Sequence, residues 1–285
     1  MSIELKSPEQ LGLMRQAGLV VAAALEATRE AVKPGVSTAD LDAIAEEVIR
    51  SRGAIPSFKG YHGFPATICS SVNEQVVHTI PNAKHVLQEG DLISIDCGAI
   101  LDGWHGDAAI TVPVGEVKPE LIRMTEVAVE SLWAGIMAAA KGVKSGKGRL
   151  TDISYAIESV IVKAPKLSSS LSGASAGKYG IVKGYGGHGI GTEMHQDPHI
   201  LNHGRPGRGP ALIPGMALAI EPMITFGSPK TIELSDGWTV ITQDRSVAVH
   251  VEHSIALYED GVVVTTAEDG GAERLGDLLS SAFKG

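Results

Sequence analysis

Cysteine is nearly absent. The two present, Cys69 and Cys97, make no disulfide framework, and neither has the spacing of a zinc knuckle. Aromatic residues are only 4% of the chain, so its core must be aliphatic. Basic residues are outnumbered, 24 Lys and Arg against 33 Asp and Glu, for a net charge of −9. That balance argues against a broad nucleic-acid surface and against DNA as a partner, because phosphate binding needs clustered Lys and Arg. No apolar run approaches the roughly 20 residues that span a bilayer, so no membrane association is expected. The opening MSIELKSPEQ has no apolar h-region, so neither a secretory leader nor a docking module is expected ahead of the first helix. What remains is a soluble, cytoplasmic globular protein of 285 residues, enough for one large domain.

Alternating helical and strand patterns fill the chain. Ser7, Pro8 and Gln10 form a helix start with a capping box, and apolar positions follow at Leu11, Met14, Gly18 and Val21. Lys33-Pro34-Gly35 ends that helix, and a second runs from Ser37 or Thr38 to about Arg52. Leu92–Asp96 leads into an Asp102-Gly103 turn, and Trp104–Val112 returns, a strong hairpin signal. Helices are expected over 118–141 and 151–163, a long Ser/Gly/Lys loop over 164–187, and strands near 217–225, 238–243, 247–258 and 261–266.

Beneath this order lies a repeat. Asp40-Leu41 with Glu46, Val48 and Ile49 matches Asp152-Ile153 with Glu158, Val160 and Ile161. His78-Thr79-Ile80-Pro81 matches His195-Gln196-Asp197-Pro198, and the run from Gly90 to Ile95-Asp96 matches that from Gly215 to Ile220-Glu221. The order is conserved between the two series, which suggests two α+β halves, about 1–115 and 116–285, facing each other across a pseudo-twofold axis. Chance similarity among amphipathic segments is the alternative.

Five side chains stand out chemically. Asp96 closes the apolar run Leu92–Ile95, and Asp107 lies on the returning strand, where the hairpin brings the two acids near each other. Glu221 closes Ala217–Ile220, Glu252 sits within Val247–Leu257 on the face shared by His250 and Ser254, and His188 stands among glycines 186, 187, 189 and 191. A carboxylate in an apolar strand is costly unless paired or metal-bound, and two side by side raise one pKa sharply. Any one of these residues alone reads better as solvated or salt-bridged; five together strain that reading. Oxygen-rich ligation with one imidazole suits Mn²⁺, Fe²⁺ or Co²⁺, with Zn²⁺ also acceptable, and five ligands suit two ions about 3.5–4 Å apart.

At these positions the sequence resembles the type I methionine aminopeptidases, from about residue 3 to 267. The resemblance is carried by Asn73-Glu74, His78-Thr79-Ile80-Pro81, Ile95-Asp96, Asp102-Gly103-Trp104-His105-Gly106-Asp107, Gly187-His188-Gly189-Ile190-Gly191, Ile220-Glu221-Pro222, Asp236-Gly237-Trp238-Thr239 and Glu252-His253. It implies the pita-bread fold, an α+β single catalytic domain. It also implies metal-dependent removal of the initiator methionine from nascent polypeptides whose second residue is small. By the same resemblance Asp96 binds one divalent ion, His188 and Glu221 the other, and Asp107 and Glu252 both. Glu221 accepts a proton, His195 stabilises the oxyanion and His78 bonds the scissile amide. Tyr61, Phe64, Cys69, Met194 and Trp238 form the methionine pocket with His78 and His195. A monovalent cation near Asn73 and a monomeric state are implied as well.

Two departures accompany the resemblance. The Lys163–Gly187 segment is longer than in compact bacterial members, and its Lys163, Lys166, Lys178 and Lys183 suggest either a tolerated surface loop or a transient ribosome contact. His250, two residues before Glu252, is either a partner standing behind that ligand or an ordinary strand residue. Two alternatives to the activity stay open: a proline-directed peptidase on the same scaffold, and a non-catalytic binding protein at ribosomes or RNA.

Overall fold

A computed structural model of the chain describes residues 3–166 and 177–284. Helix α1 spans Pro8–Ala31 and begins as its sequence dictates: Ser7 Oγ accepts from the Gln10 amide at 3.3 Å, and Gln10 Oε1 accepts from the Ser7 amide at 2.8 Å. Helix α2 spans Thr38–Ser51 behind a second such box made by Ser37 and Asp40. The hairpin pairs Leu92–Leu101 with Trp104–Pro113 through the two-residue turn Asp102-Gly103, whose φ values of +50° and +80° both lie in the left-handed region. Two left-handed residues are what a type I′ turn needs, and Asp-Gly supplies them at little cost.

The hairpin is completed on its other side by Ile68–Val72 and Ile55–Pro56. Helices α1 and α2 cover this sheet, with Val21, Leu25, Leu41 and Ile49 packed in one buried cluster with Ile68, Ile93 and Ile95. Helices α3 (Pro119–Ser145) and α4 (Leu150–Lys163) belong to a second cluster, which joins Met124, Ile136, Ile153 and Ile157 to Leu218, Ile220, Ile255 and Leu257. The strands there form a five-stranded sheet in the order Gly261–Val264, His253–Tyr258, Ala217–Ile220, Gly187–Gly189, Gln196–Ile200. Each fully buried aliphatic side chain contributes about 1.5–3 kcal/mol, so most of the apolar stabilisation lies in these two clusters, which hold the most buried side chains.

Small residues let main chains meet next to the acids. A Cβ on Gly106 would lie 2.6 Å from the Gly18 amide nitrogen, so α1 rests directly on the strand that carries Asp107. A Cβ on Gly187 would lie 2.1 Å from the Ala219 carbonyl oxygen, which is how the His188 strand comes flush against its neighbour.

Several expectations need correction. The strand expected over 217–225 breaks after Ile220, and its continuation Met223–Thr225 pairs instead with Ala248–His250 and Gly180–Ile181 in a three-stranded sheet. Pro222 has no amide to donate, so a ladder cannot run through it. The strand expected over 247–258 breaks at Val251-Glu252 for a related reason: the Glu252 amide turns away to a different partner, the Ala109 carbonyl. The 164–187 segment is not all loop, because Gly180–Ile181 is a strand and Tyr179 is buried. Lys166 donates to the Phe226 carbonyl and lies 4.1 Å over the Phe226 ring, so it is not a free surface cation. Residues 167–176, the middle of that segment, lie outside the described residues. Short strands at Ile68–Val72, Gln75–Val77 and Gln196–Ile200 were not expected.

Candidate metal centre and substrate pocket

All five expected ligands line one cavity of about 800 Å³. Asp96 stands opposite Ala109 and Asp107 opposite Gly98 in the hairpin register, so the two acids are diagonal neighbours on one face of the ladder. Glu221 and Glu252 occupy the two strand breaks, where the chain passes from one sheet to the other. His188 turns its Nδ1 to the Gly189 carbonyl at 3.0 Å. That contact directs its Nε2 toward the acids, 3.8 Å from Asp107 Oδ2 and 3.7 Å from Glu221 Oε1.

Ligand atoms of Asp107, His188 and Glu252 all lie within 4.8 Å of one another, and so do those of Glu221, His250 and Glu252. Glu252 belongs to both trios. Asp96 lines the same cavity but is in neither. His250 is no ordinary surface residue: it is 2% exposed, with Nε2 3.3 Å from Glu221 Oε2.

The electrostatics of this cluster are severe. Burial, then the charges of Asp96 and Glu221, push the Asp107 carboxyl well above the usual range, and burial with Asp107, Glu221 and Asp96 does the same to Glu252. Asp96 is pushed up to about 7, chiefly by burial, with His250 pulling the other way. Glu221 is the exception. Burial pushes it up, but His250, His188 and His78 hold it below its ordinary value, so it stays ionised. Burial lowers His78. His195 at the mouth is lowered to about 4, first by burial of its ring and then by His188, whose ring centre is 4.4 Å away. The Tyr61 hydroxyl meets His195 Nδ1 at 2.9 Å.

Beside the acids lies an apolar pocket. Phe64, Cys69 and Met194 form a buried cluster with Phe58 and Ala66, and Tyr61, Ile80 and Trp238 pack against it. Phe64 meets Trp238 edge-on at 5.0 Å between ring centres. Asp236 Oδ1 accepts the Trp238 amide at 2.9 Å and so sets the indole's place. Burial raises the Cys69 thiol, which keeps it protonated and makes it a neutral wall. All five expected pocket residues are therefore brought together.

Comparison with known proteins agrees with this geometry. The pattern of metallopeptidase family M24 matches residues 12–265. Methionine aminopeptidase 1 of Mycobacterium tuberculosis is 53% identical over 261 residues, covering 92% of this chain and 94% of that protein. The methionine aminopeptidase of Clostridium acetobutylicum is 48% identical over 264 residues, covering 93% and 98%. The crystal structure of methionine aminopeptidase from Rickettsia prowazekii superposes with a TM-score of 0.84 at 37% identity, covering 93% of this chain and all of that one.

The chain belongs to the methionine aminopeptidases of metallopeptidase family M24. Its architecture is their pita-bread fold, and it is a divalent-metal-dependent hydrolase.

The donor set fits the cations a methionine aminopeptidase of this family requires. Asp96 Oδ1, Asp107 Oδ1 and Glu252 Oε1 are buried with no hydrogen-bond partner among the described residues. Leaving a buried carboxylate uncompensated costs several kcal/mol, more than any one aliphatic contact returns. Cations remove that conflict.

Some residues escaped the sequence reading. Phe58 lines the cavity and Ile80 packs against the apolar cluster; Phe58, three residues before Tyr61, was detectable as the other aromatic of Phe58-Lys59-Gly60-Tyr61. His105, inside a quoted motif but given no role, is buried with Nδ1 3.0 Å from Ser57 Oγ, and burial followed by His188 lowers it to about 4. Tyr185 lies edge-on to His78 at 5.8 Å and nothing in its sequence context marked it.

Proposed function

We propose that this enzyme removes the initiator methionine from new polypeptides whose second residue is small, with the whole chain acting as one catalytic domain built of two pseudo-repeat halves. The observation that carries the reading is the contact between the two parts of the cavity: two ligand trios sharing Glu252, directly beside a pocket walled by Phe64, Cys69, Met194 and Trp238. Such a pocket suits a thioether.

In this reading Asp107 and Glu252 would be shared by two divalent ions, Asp96 would hold one, and His188 and Glu221 would hold the other. Bound ions supply Lewis-acid polarisation of the substrate carbonyl and an activated water at neutral pH. The side chains supply the rest. Glu221, ionised among three histidines, accepts a proton at its carboxylate. His195, steadied by Tyr61, donates to the developing oxyanion. His78, held with a φ of +60°, bonds the scissile amide. Its backbone strain is sustained by the packing around it.

Mn, Fe, Co and Zn are all compatible with the donors. A monovalent cation beside Asn73 belongs to the same proposal; the Asn73 side chain is committed to Asp91 and the Leu92 amide, which leaves main-chain oxygens for that ion. The chain is proposed to act as a cytoplasmic monomer on nascent N-termini, with a transient ribosome contact. No helix among the described residues is long and apolar enough to cross a membrane.

The test is release of free methionine from a Met-Ala-Ser peptide by protein stripped of metal and then reloaded. Release only after reloading, with an Xaa-Pro peptide left intact, supports the proposal. Hydrolysis of the Xaa-Pro peptide instead, or no release with any divalent ion, overturns it.

A further inference from the structure

His250 is a buried, metal-competent side chain that stands with Glu221 and Glu252 yet lies outside the expected ligand set. Its main chain is gripped on both sides: the amide donates to Ser94 Oγ at 3.1 Å and Thr111 Oγ1 at 3.2 Å, and the carbonyl accepts from Thr111 Oγ1 at 2.7 Å. Ser94 and Thr111 belong to the hairpin that carries Asp96 and Asp107, so the imidazole is aimed by the same strands that aim those acids. His250 Nε2 lies 3.3 Å from Glu221 Oε2 and 4.0 Å from Glu252 Oε2, and it is buried with no aligned hydrogen-bond partner among the described residues.

Glu221 therefore faces two imidazoles, one per oxygen: His188 Nε2 at Oε1 and His250 Nε2 at Oε2. Donors that share one ion at about 2.0–2.2 Å stand about 3–4 Å from each other. The Glu221–His250–Glu252 trio meets that spacing. A hydrogen bond to Glu221 alone would leave the approach of the same nitrogen to Glu252 without a purpose.

We propose that His250 is a sixth ligand-bearing side chain of the centre and gives the Glu221–Glu252 side a second imidazole. The consequence is chemical. Carboxylates suit Mn²⁺, whereas imidazole suits Zn²⁺ and its neighbours, so this nitrogen tilts the centre toward Zn²⁺ and Co²⁺ over Mn²⁺. The proposal rests on reading the cavity as a two-cation centre.

The experiment compares the full-length protein with His250→Gln, which keeps a hydrogen-bond donor but is a poor ligand. Both are stripped of metal, checked for equal thermal melting, and titrated with Co²⁺, Zn²⁺ and Mn²⁺. The expected result is a loss of about tenfold or more in Zn²⁺ and Co²⁺ affinity at one of two sites, a smaller loss for Mn²⁺, and a changed visible ligand-field spectrum of bound Co²⁺. An unchanged Co²⁺ spectrum overturns the proposal, whether Zn²⁺ and Mn²⁺ affinities stay put or fall together. If the variant melts early, the unaltered protein decides: X-ray absorption of the zinc-loaded form should count two imidazoles per pair of zinc ions, and one overturns the proposal. Absence of stoichiometric cation uptake by the unaltered protein is a different failure, because it removes the two-cation reading itself.

Discussion

Glu252 and Ala109 are joined by a two-way main-chain bridge: the Glu252 amide donates to the Ala109 carbonyl at 2.8 Å, and the Ala109 amide donates back at 3.4 Å. The bridge fixes the strand break that carries Glu252 onto the hairpin that carries Asp107. Ser254 reinforces it by donating its hydroxyl to the Asp107 carbonyl at 2.7 Å. Removing that hydroxyl, in Ser254→Ala, is expected to cost about 1 kcal/mol in urea unfolding of the metal-free protein and to weaken cation binding. Equal unfolding midpoints and equal cation affinity would show that the seam does not position the acids.

Stability of the metal-free protein should fall as pH rises above neutrality. Asp96 in the fold titrates at about 7, and Asp107 and Glu252 are held well above the usual carboxylate range, against about 4 for unfolded carboxyls. The folded protein thus holds protons that the unfolded chain has released, so stability declines with pH through the folded pKa values. His105, His195 and His253, all lowered to about 4, act the other way, but only below the unfolded imidazole value of about 6.5. Thermal melting in chelator is expected to drop between about pH 6.5 and 8.5, and Mn²⁺ is expected to abolish the drop. A melting temperature that rises over this interval would contradict the account.

The pocket makes its own prediction. Trp238→Ala removes the ring that closes the cavity against Phe64, so larger side chains should enter. The ratio of kcat/KM for Met-Ala-Ser over Phe-Ala-Ser is expected to fall by about 10- to 100-fold, in the range that shape selection provides, mainly through KM for the methionine peptide. An unchanged ratio would place the side-chain pocket elsewhere.

For the Lys-bearing segment, the change that separates the two readings is the combined replacement Lys163→Ala, Lys178→Ala and Lys183→Ala, at three exposed positions. It spares Lys166, seated on Phe226, and buried Tyr179, both tied into the fold. Peptide hydrolysis is expected to stay within about twofold, since the cavity is lined by other residues. Co-sedimentation with ribosomes is expected to weaken at low salt and to differ little at high salt. Unaltered co-sedimentation at both salt concentrations rules out a ribosome contact through these residues.

What the sequence shows well is whatever has a local cause. Ser7 and Gln10 predict a capping box, Asp102-Gly103 predicts its turn, the four acids are conspicuous because charge interrupts strand patterns, and His188 is conspicuous among its glycines. The geometry at Glu221 and Glu252 was less legible. Continuous strands were expected through both, yet the chain breaks at each acid: Pro222 accounts for the first break, and only the tertiary partner of the Glu252 amide, Ala109, reveals the cause of the second. The His188 strand is three residues long, two of them glycine, so it has no hydrophobic alternation to detect. Phe58 and Ile80 join the apolar cluster from segments without periodicity, and the position of His250 between Glu221 and Glu252 depends on a hydroxyl pair, Ser94 and Thr111, from a distant hairpin.

The central claim is that Asp107 and Glu252 are shared by two cations. Electron paramagnetic resonance of the metal-stripped protein reloaded with two equivalents of Mn²⁺ tests it most directly. Ions about 3.5–4 Å apart should give the spectrum of a spin-coupled pair, replaced by that of isolated Mn²⁺ or no binding in Asp107→Asn. A spectrum of isolated ions in the unaltered protein would contradict the claim.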